Sequence, residues 1–483
     1  MREKMKKIKV VILMSFLLVA FSIPSFAQKE ATTAPTDDQT TQQATTSSPA
    51  PSGTIAPVKE LPAAVIVGTT WHPDYSPLTP PPLNDTIIQV ICIDKGGEVL
   101  SRNVIPSAFN TTLSLAVNTT DRSAHVVSVE STGYSAPVTV TYRRFSGVDC
   151  SLQNTTSLPV NSTPSFLLTT VKADIAVDPT TNIIYILVAK YLVSTITTYT
   201  LNDFILDASL IVITPTTTNA IPIFQGGGMP VNWPKWEPTL ALNNGVPSFI
   251  IHVGIDPVTF AMPHLEEYRV DLSTILPLVT NQSVSGPMIN TFESKAALIY
   301  NVNSISDRAI LALVDNSLSS PLIPLNILTK DNFSPLWINE MVPSFLQNAL
   351  NVDLSSLSVT GATNKALFLA AKTGSLSGGS TNLTWATSQY DGGATWVGGV
   401  IYTPSLNRII GADVDLPEEI TQNSELIPVL FAEGDPASPV SLVTFNPNLK
   451  FVDMLTSSIH NVSLIHNNIS PNVLRDAQIE IFK

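Results

Sequence analysis

An all-β fold, a seven-bladed β-propeller of four-stranded blades closed by N- and C-terminal strands, is predicted by three observations. A strand pattern recurs at a period near 60 residues, each repeat holds four strand-like segments, and incomplete repeats at the two chain ends add up to one. Composition agrees: only 13% of the 483 residues are charged, 44% are hydrophobic, and 37 prolines stand against 22 glycines. Such a balance suits short strands joined by turns and excludes a disordered chain or a long surface helix.

The elements follow in chain order. Residues 1–27 begin with Arg2, Lys4, Lys6, Lys7 and Lys9, continue with an apolar run from Val10 to Phe21, and end on Ser25-Phe26-Ala27. This is the pattern of a secretory signal peptide. The apolar run is about 12 residues long, whereas a spanning helix needs about 20, so no membrane span is expected after cleavage. Removing the five basic residues and Glu3 takes a charge of +4 from the formal −13 and leaves −17. An acidic exported protein is expected, secreted, cell-surface or periplasmic, and nucleic acid is excluded as a partner because phosphate binding needs clustered Lys and Arg.

Residues 28–60 are Thr, Ser, Gln, Ala and Pro with few large apolar side chains, and they read as a disordered linker. Residues 61–85 form a Pro-rich lead-in with one aromatic cluster, Trp71-His72-Pro73-Asp74-Tyr75. The propeller domain is expected over 86–483.

Within it, the first strand of each repeat is small, apolar and closed by a polar turn residue. These residues are Asn118, Asp178, Asn243, Asn301, Thr360 and Asp415, spaced 60, 65, 58, 59 and 55 apart. Second strands begin near His125, Ile183, Phe249, Ala309, Ala366 and Leu426. Third strands are expected around Tyr142, Tyr199, Tyr268, Asn326, Ser388 and Phe445, and fourth strands include the runs to Leu152 and Val400. The run from Thr86 to Ile105 supplies a third and fourth strand, while the segments ending at Asn467 and Phe482 supply a first and second. Joining two strands from each end completes a seventh blade and covers its edges; six blades is the alternative if that pairing is wrong.

Cys92 and Cys150 are the only cysteines. In an oxidising compartment they can pair, and two buried free thiols are the other reading. The count excludes a four-Cys zinc site. Histidines do not fall at ligand spacing and no phosphate-binding loop occurs, so neither metal nor cofactor is implied.

In the fifth repeat, Tyr390-Asp391-Gly392-Gly393-Ala394-Thr395-Trp396 resembles the Asp box of sialidase-type (BNR-repeat) propellers, Asp-x-Gly-x-Thr-Trp. Asp391 suits backbone N–H acceptance across a turn, Gly393 permits positive φ, and Thr395 and Trp396 complete the motif. Gln389 replaces the usual Ser or Thr. The run Ile175 to Leu187 is similar to the repeats of bacterial surface-antigen propellers. The Asp box implies architecture and not catalysis, since in those families it sits away from the active centre.

Two function classes are carried forward. The first is a non-enzymatic secreted propeller whose loop face binds a glycan or an extracellular protein through Trp233, Trp236, Glu237 and Trp337, because tryptophan faces stack on sugar rings. The alternative is an Asp-box glycoside hydrolase, sialidase-like or endoglucanase-like. A sialidase needs converging arginines, for which Arg269, Arg308 and Arg408 are available; an inverting hydrolase needs paired carboxylates, for which Glu237 and Glu340 are available. The family's opening Arg-Ile-Pro is replaced here by Arg102-Asn103-Val104-Ile105-Pro106.

Overall fold

The computed structural model describes residues 61–71, 86–95, 98–107, 110–131, 138–159, 166–194, 204–227, 239–253, 264–273, 276–284, 294–299, 308–315, 325–331, 336–340, 351–352, 358–361, 366–374, 382–389, 396–402, 408–415, 426–434, 446–453, 459–462 and 475–482. The signal segment 1–27, the linker 28–60 and residues 72–85 of the lead-in lie outside these. Residues 59–483 form one compact unit.

All regular structure among the described residues is β, arranged in seven antiparallel sheets. The first sheet holds β1 (Ala64–Trp71), β2 (Thr86–Ile93) and β3 (Val99–Ser107). The second is β4 (Asn110–Asn118), β5 (Ser123–Ser131), β6 (Val138–Ser146) and β7 (Leu152–Leu158). The third is β8 (Phe166–Asp178), β9 (Ile183–Ser194), β10 (Phe204–Ile213) and β11 (Thr218–Gly227). Next come β12 (Thr239–Asn243), β13 (Val246–Val253), β14 (His264–Asp271) and β15 (Leu278–Ser283). The fifth is β16 (Ser294–Ile299), β17 (Arg308–Asp315), β18 (Leu325–Asp331) and β19 (Ile338–Glu340).

In the sixth sheet two short pieces, β20 (Asn351–Val352) and β21 (Ser358–Gly361), pair along the same edge of β22 (Ala366–Gly374), followed by β23 (Asn382–Gln389) and β24 (Trp396–Tyr402). The seventh is β25 (Arg408–Val414), β26 (Leu426–Gly434), β27 (Asn446–Asp453) and β28 (Ile459–Val462). The last strand, β29 (Arg475–Ile481), returns to the first sheet and pairs with β1.

Second strands explain the long apolar runs. Residues 123–129 of β5 and 184–190 of β9 are buried without alternation, because each sheet is covered on both faces by its neighbours. Successive side chains therefore enter different cores. Ala124 and Val126 join the core shared with the first sheet, while Val127 and Val129 join the core shared with the third. Ile184, Ile186 and Val188 alternate in the same way with Tyr185, Leu187 and Ala189. Fourth strands face water instead, as Gln153 to Ser157 of β7 show.

The polar residues closing β4 and β8 have a local cause. Oδ1 of Asn118 accepts the Thr120 N–H at 2.9 Å, and Oδ1 of Asp178 accepts the Thr180 N–H at the same distance. These side chains mimic a backbone turn. Arg122 and Asn182 then take φ of 52° and 57° at equivalent turn positions, the left-handed region that reverses the chain into the second strand.

First strands of successive sheets lie against one another in the order β4, β8, β12, β16, β21, β25, β29, and β29 lies against β4. Side chains clip these strands together. Asp174 on β8 accepts Ser114 Oγ of β4 at 2.6 Å and the Leu240 N–H of β12 at 2.7 Å. Gln478 on β29 accepts the Leu115 N–H at 2.7 Å and donates to Leu113 O at 3.1 Å, so its amide stands in for a backbone peptide. On the other side of β29, Asp415 accepts the Ile481 N–H at 2.8 Å.

Three expectations need correction. The first sheet takes one strand from the C-terminus and three from the N-terminus, not two from each. Ala64–Trp71, read as lead-in, pairs with β2 over eight residues and buries Val65 and Val67, whereas Ile459–Val462 pairs with β27 as a fourth strand. In the third sheet the third strand is Phe204–Ile213, which buries Ala208, Leu210 and Ile211, and Tyr199 lies outside the described residues. Residues 147–149 form a turn, and β7 starts at Leu152. A Cβ on Gly147 would meet Arg122 O at 1.8 Å, which fixes glycine there.

Cys92 and Cys150 are disulfide-bonded, with Cα atoms 5.9 Å apart, and tie β2 to the turn after β6. Closing a loop with a sequence separation of 58 constrains the unfolded chain by about 4 kcal/mol in the chain-entropy model. Reduction, or Cys92→Ala with Cys150→Ala, is expected to lower the unfolding free energy by that order in denaturant titrations. Gln478→Ala leaves the Leu115 N–H without its acceptor. The expected loss is about 1–3 kcal/mol, read in the same titration.

Candidate functional site

The expected loop-face residues divide sharply. Trp233, Trp236 and Glu237 fall in residues 228–238, between β11 and β12 and outside the described residues. Trp337 is described, and it is not an exposed platform: it is 3% exposed and belongs to the core between the fourth and fifth sheets. Burial of its ring against Lys330, with Nζ 4.7 Å from the ring centroid, leaves no face open for stacking a ligand. Glu340 closes β19 opposite Ile327, within a fourth strand and not in a loop before a first strand.

Of the Asp-box segment, Asp391, Gly393 and Thr395 lie outside the described residues. Trp396 opens β24 opposite Ser388, so the motif spans the connection from third to fourth strand. The three candidate arginines stand on different sheets, Arg269 on β14, Arg308 at the start of β17 and Arg408 at the start of β25. Arg269 donates to Glu267 Oε1 from Nε at 3.4 Å and from Nη2 at 3.3 Å. Arg102 pairs opposite Ile91 on β3, and His252 opposite Leu265 on β13.

The most concentrated ionisable cluster was not singled out from the sequence. Glu267 projects from β14 into the layer between the fourth and fifth sheets, where its side chain and that of Lys330 are 0% exposed. Its Oε2 accepts from Lys330 Nζ, from Gln282 Nε2 and, at 3.3 Å, from Trp337 Nε1. Burial pushes the Lys330 ammonium below its usual range, against the opposing pull of Glu267. The signal available in the sequence was a charged residue on the inward-facing register of a strand, Glu267 between Leu265 and Tyr268, which calls for a partner.

A second polar chain runs through the second sheet. Ser123 Oγ donates to Asp121 Oδ1 at 2.5 Å and lies 2.7 Å from His125 Nε2, while His125 Nδ1 is 2.8 Å from Tyr142 Oη. With Ser123 committed to Asp121, Nε2 carries the proton and Nδ1 accepts from Tyr142. Burial, and secondarily Arg144, push His125 down to about 4; burial pushes the Tyr142 hydroxyl up to about 12. The order Asp–Ser–His–Tyr differs from a nucleophilic triad, in which the carboxylate orients the imidazole and not the hydroxyl. Arg143 meets Glu130 at 2.9 Å beside this chain.

Among the described residues no group of three or more His, Cys, Asp or Glu is placed to hold a metal, and no helix is long and apolar enough to cross a membrane.

No family model matches the chain, and no curated protein matches it. Among solved structures it is similar to a Hadza microbial sialidase, with 13% identity over 75% of this chain and 72% of that one and a TM-score of 0.43. It is also similar to the acylaminoacyl peptidase of Pyrococcus horikoshii, with 9% identity, 79% and 48% covered, and a TM-score of 0.41. A third is the alpha-L-arabinanase of Penicillium chrysogenum, with 11% identity, 72% and 78% covered, and a TM-score of 0.35. Overlap at this level carries no argument about activity.

His125 supplies a pH signature of the fold. Its folded-state pKa of about 4 lies below the 6.5 of a histidine in an unfolded chain. The unfolded chain therefore binds more protons between the two, and the stabilisation is complete above 6.5 and lost as pH falls through the folded value. The expected size is about 3 kcal/mol. Denaturant titrations from pH 8 to pH 4 check it: the slope of stability against pH should be shallower in His125→Asn than in the parent chain.

Proposed function

We propose that the chain is an exported seven-bladed β-propeller that binds a glycan through the rim where fourth strands lead into the next first strands. The observation that carries the reading is the cyclic order of first strands, β4 through β29 and back to β4, combined with what the connections at that rim contain. Because each sheet is antiparallel in sequence order, the fourth-to-first and second-to-third connections emerge on the same side. Residues 228–238, Met-Pro-Val-Asn-Trp-Pro-Lys-Trp-Glu-Pro after a glycine, form one such connection. Trp233 and Trp236 supply flat apolar faces, and Lys235 and Glu237 supply polar groups to orient hydroxyls.

Strands of the body support this division of labour. Glu267, Lys330, His125 and Asp174 are engaged with one another or with neighbouring strands, so the sheets act as scaffold and recognition falls to the connections. The signal-like segment 1–27 supports export.

Glycosidic-bond hydrolysis is the second reading: the Asp-box-like stretch Asp391 to Trp396 supports an architecture that glycoside hydrolases also use, and not the chemistry itself. The activities of the sialidase and the arabinanase belong to those proteins and enter here only as this class. One experiment separates the readings: the exported chain is passed over immobilised polysaccharides and sialylated glycans while retained protein and released sugar are recorded together. Retention without release is expected, with Trp233→Ala and Trp236→Ala each weakening it about tenfold, on the order of 1.4 kcal/mol. Released sugar that disappears in Glu237→Gln would establish hydrolysis. Neither signal would overturn both readings and direct the search to protein partners.

A further inference from the structure

Glu267, Gln282 and Lys330 come from three strands of two adjacent sheets and meet at one atom. Glu267 and Gln282 are cross-strand partners on β14 and β15, and Lys330 reaches across from β18. Lys330 Nζ and Gln282 Nε2 both donate to Glu267 Oε2. An amine and a carboxamide are thereby held on the same carboxylate oxygen. Trp337 closes the layer, with its ring over Nζ and its Nε1 on the same oxygen, and Arg269 holds the other carboxylate oxygen.

An ion pair between two sheets requires only the lysine and the glutamate. The added carboxamide completes the parts of an amide exchange: a nucleophile, an acyl group, and a carboxylate able to carry a proton from one nitrogen to the other. Water exclusion around Lys330 and Glu267 favours the neutral amine and protects against competing hydrolysis. Holding the amine and the carboxamide on one oxygen makes their reaction intramolecular, which removes the entropy cost of bringing them together.

We infer that Lys330 and Gln282 are joined by an isopeptide bond, formed with Glu267 as the proton carrier, that links the fourth and fifth sheets covalently. Glu267 takes a proton from the Lys330 ammonium, and the freed Nζ pair attacks Cδ of Gln282. Glu267 hands its proton to Nε2, the Cδ–Nε2 bond breaks, and the departing ammonia takes the second Nζ proton and leaves as ammonium. The Nζ–Cδ amide remains. No oxidant or reductant takes part, and Gln282 is only partly buried, so ammonia has a route to solvent.

The test is a peptide map of the purified, reduced full chain by mass spectrometry. The expected result is a branched peptide joining Lys330 to Gln282, lighter than its two components by one ammonia, with no tryptic cleavage after Lys330. Intact mass alone does not decide, because a chain beginning at Gln28 also loses ammonia on cyclising its N-terminus; the position of the branch does. Linear peptides carrying unmodified Lys330 and Gln282 would overturn the inference. A branch lighter by one water between Lys330 and Glu267 would overturn it too, since the acyl group would then be the carboxylate. In Glu267→Gln the Lys330 to Gln282 branch is expected to be lost from soluble protein, and its persistence would remove Glu267 as the carrier. The map of the parent chain is decisive even if that variant does not fold.

Discussion

A sheet with a free first strand presents a row of unpaired backbone groups, and in a chain of successive antiparallel sheets the two ends of the series are where that happens. The C-terminal strand β29 meets the constraint by crossing back to the first sheet. It pairs with β1 on one edge, while Gln478 and Asp415 attach it sideways to β4 and to the end of β25. Phe482 then donates its N–H to Ala63 O at 2.9 Å and joins the core shared by the first two sheets, beneath Arg122. The disulfide from Cys92 to Cys150 lies in the same core. Closure is thus reinforced by pairing, packing, polar clips and a covalent bond within a few residues of one seam.

Burial on both faces governs everything between the seams. An inner strand sandwiched between neighbouring sheets cannot shed its polar groups to water, so each must find a partner inside. His125 is neutral and held between Ser123 and Tyr142, and Lys330 is matched by Glu267. These contacts run within and between sheets and set their relative register. Burial is the first cause of the lowered values of both His125 and Lys330.

The same logic separates strand positions from connections. Strand positions are committed to packing, and only the connections are free to vary in length and content without disturbing the layers. The stretch with two tryptophans before β12 and the Asp-box-like stretch before β24 are such connections, and they lead into strands of different sheets.

The repeat, its period and most strand positions were legible in the sequence because first strands end on a small polar residue, which caps its own turn at Asn118 and Asp178. That signal is local, and so is the alternation that sends Val126 and Val127 into different cores. What only the tertiary structure decided is long-range. Ala64–Trp71 reads as lead-in until β2 and β29 are seen on its two sides, and a tryptophan at position 337 reads as a ligand platform until Lys330 and Glu267 are seen around it. The pairing of Cys92 with Cys150 was one of two readings until β2 met the turn after β6. Sequence by itself determined which segments are strands and where they turn, since propensity and turn chemistry act over a few residues. Which strands are neighbours, and which polar groups meet between sheets, depends on contacts between residues tens to hundreds of positions apart, which no local pattern encodes.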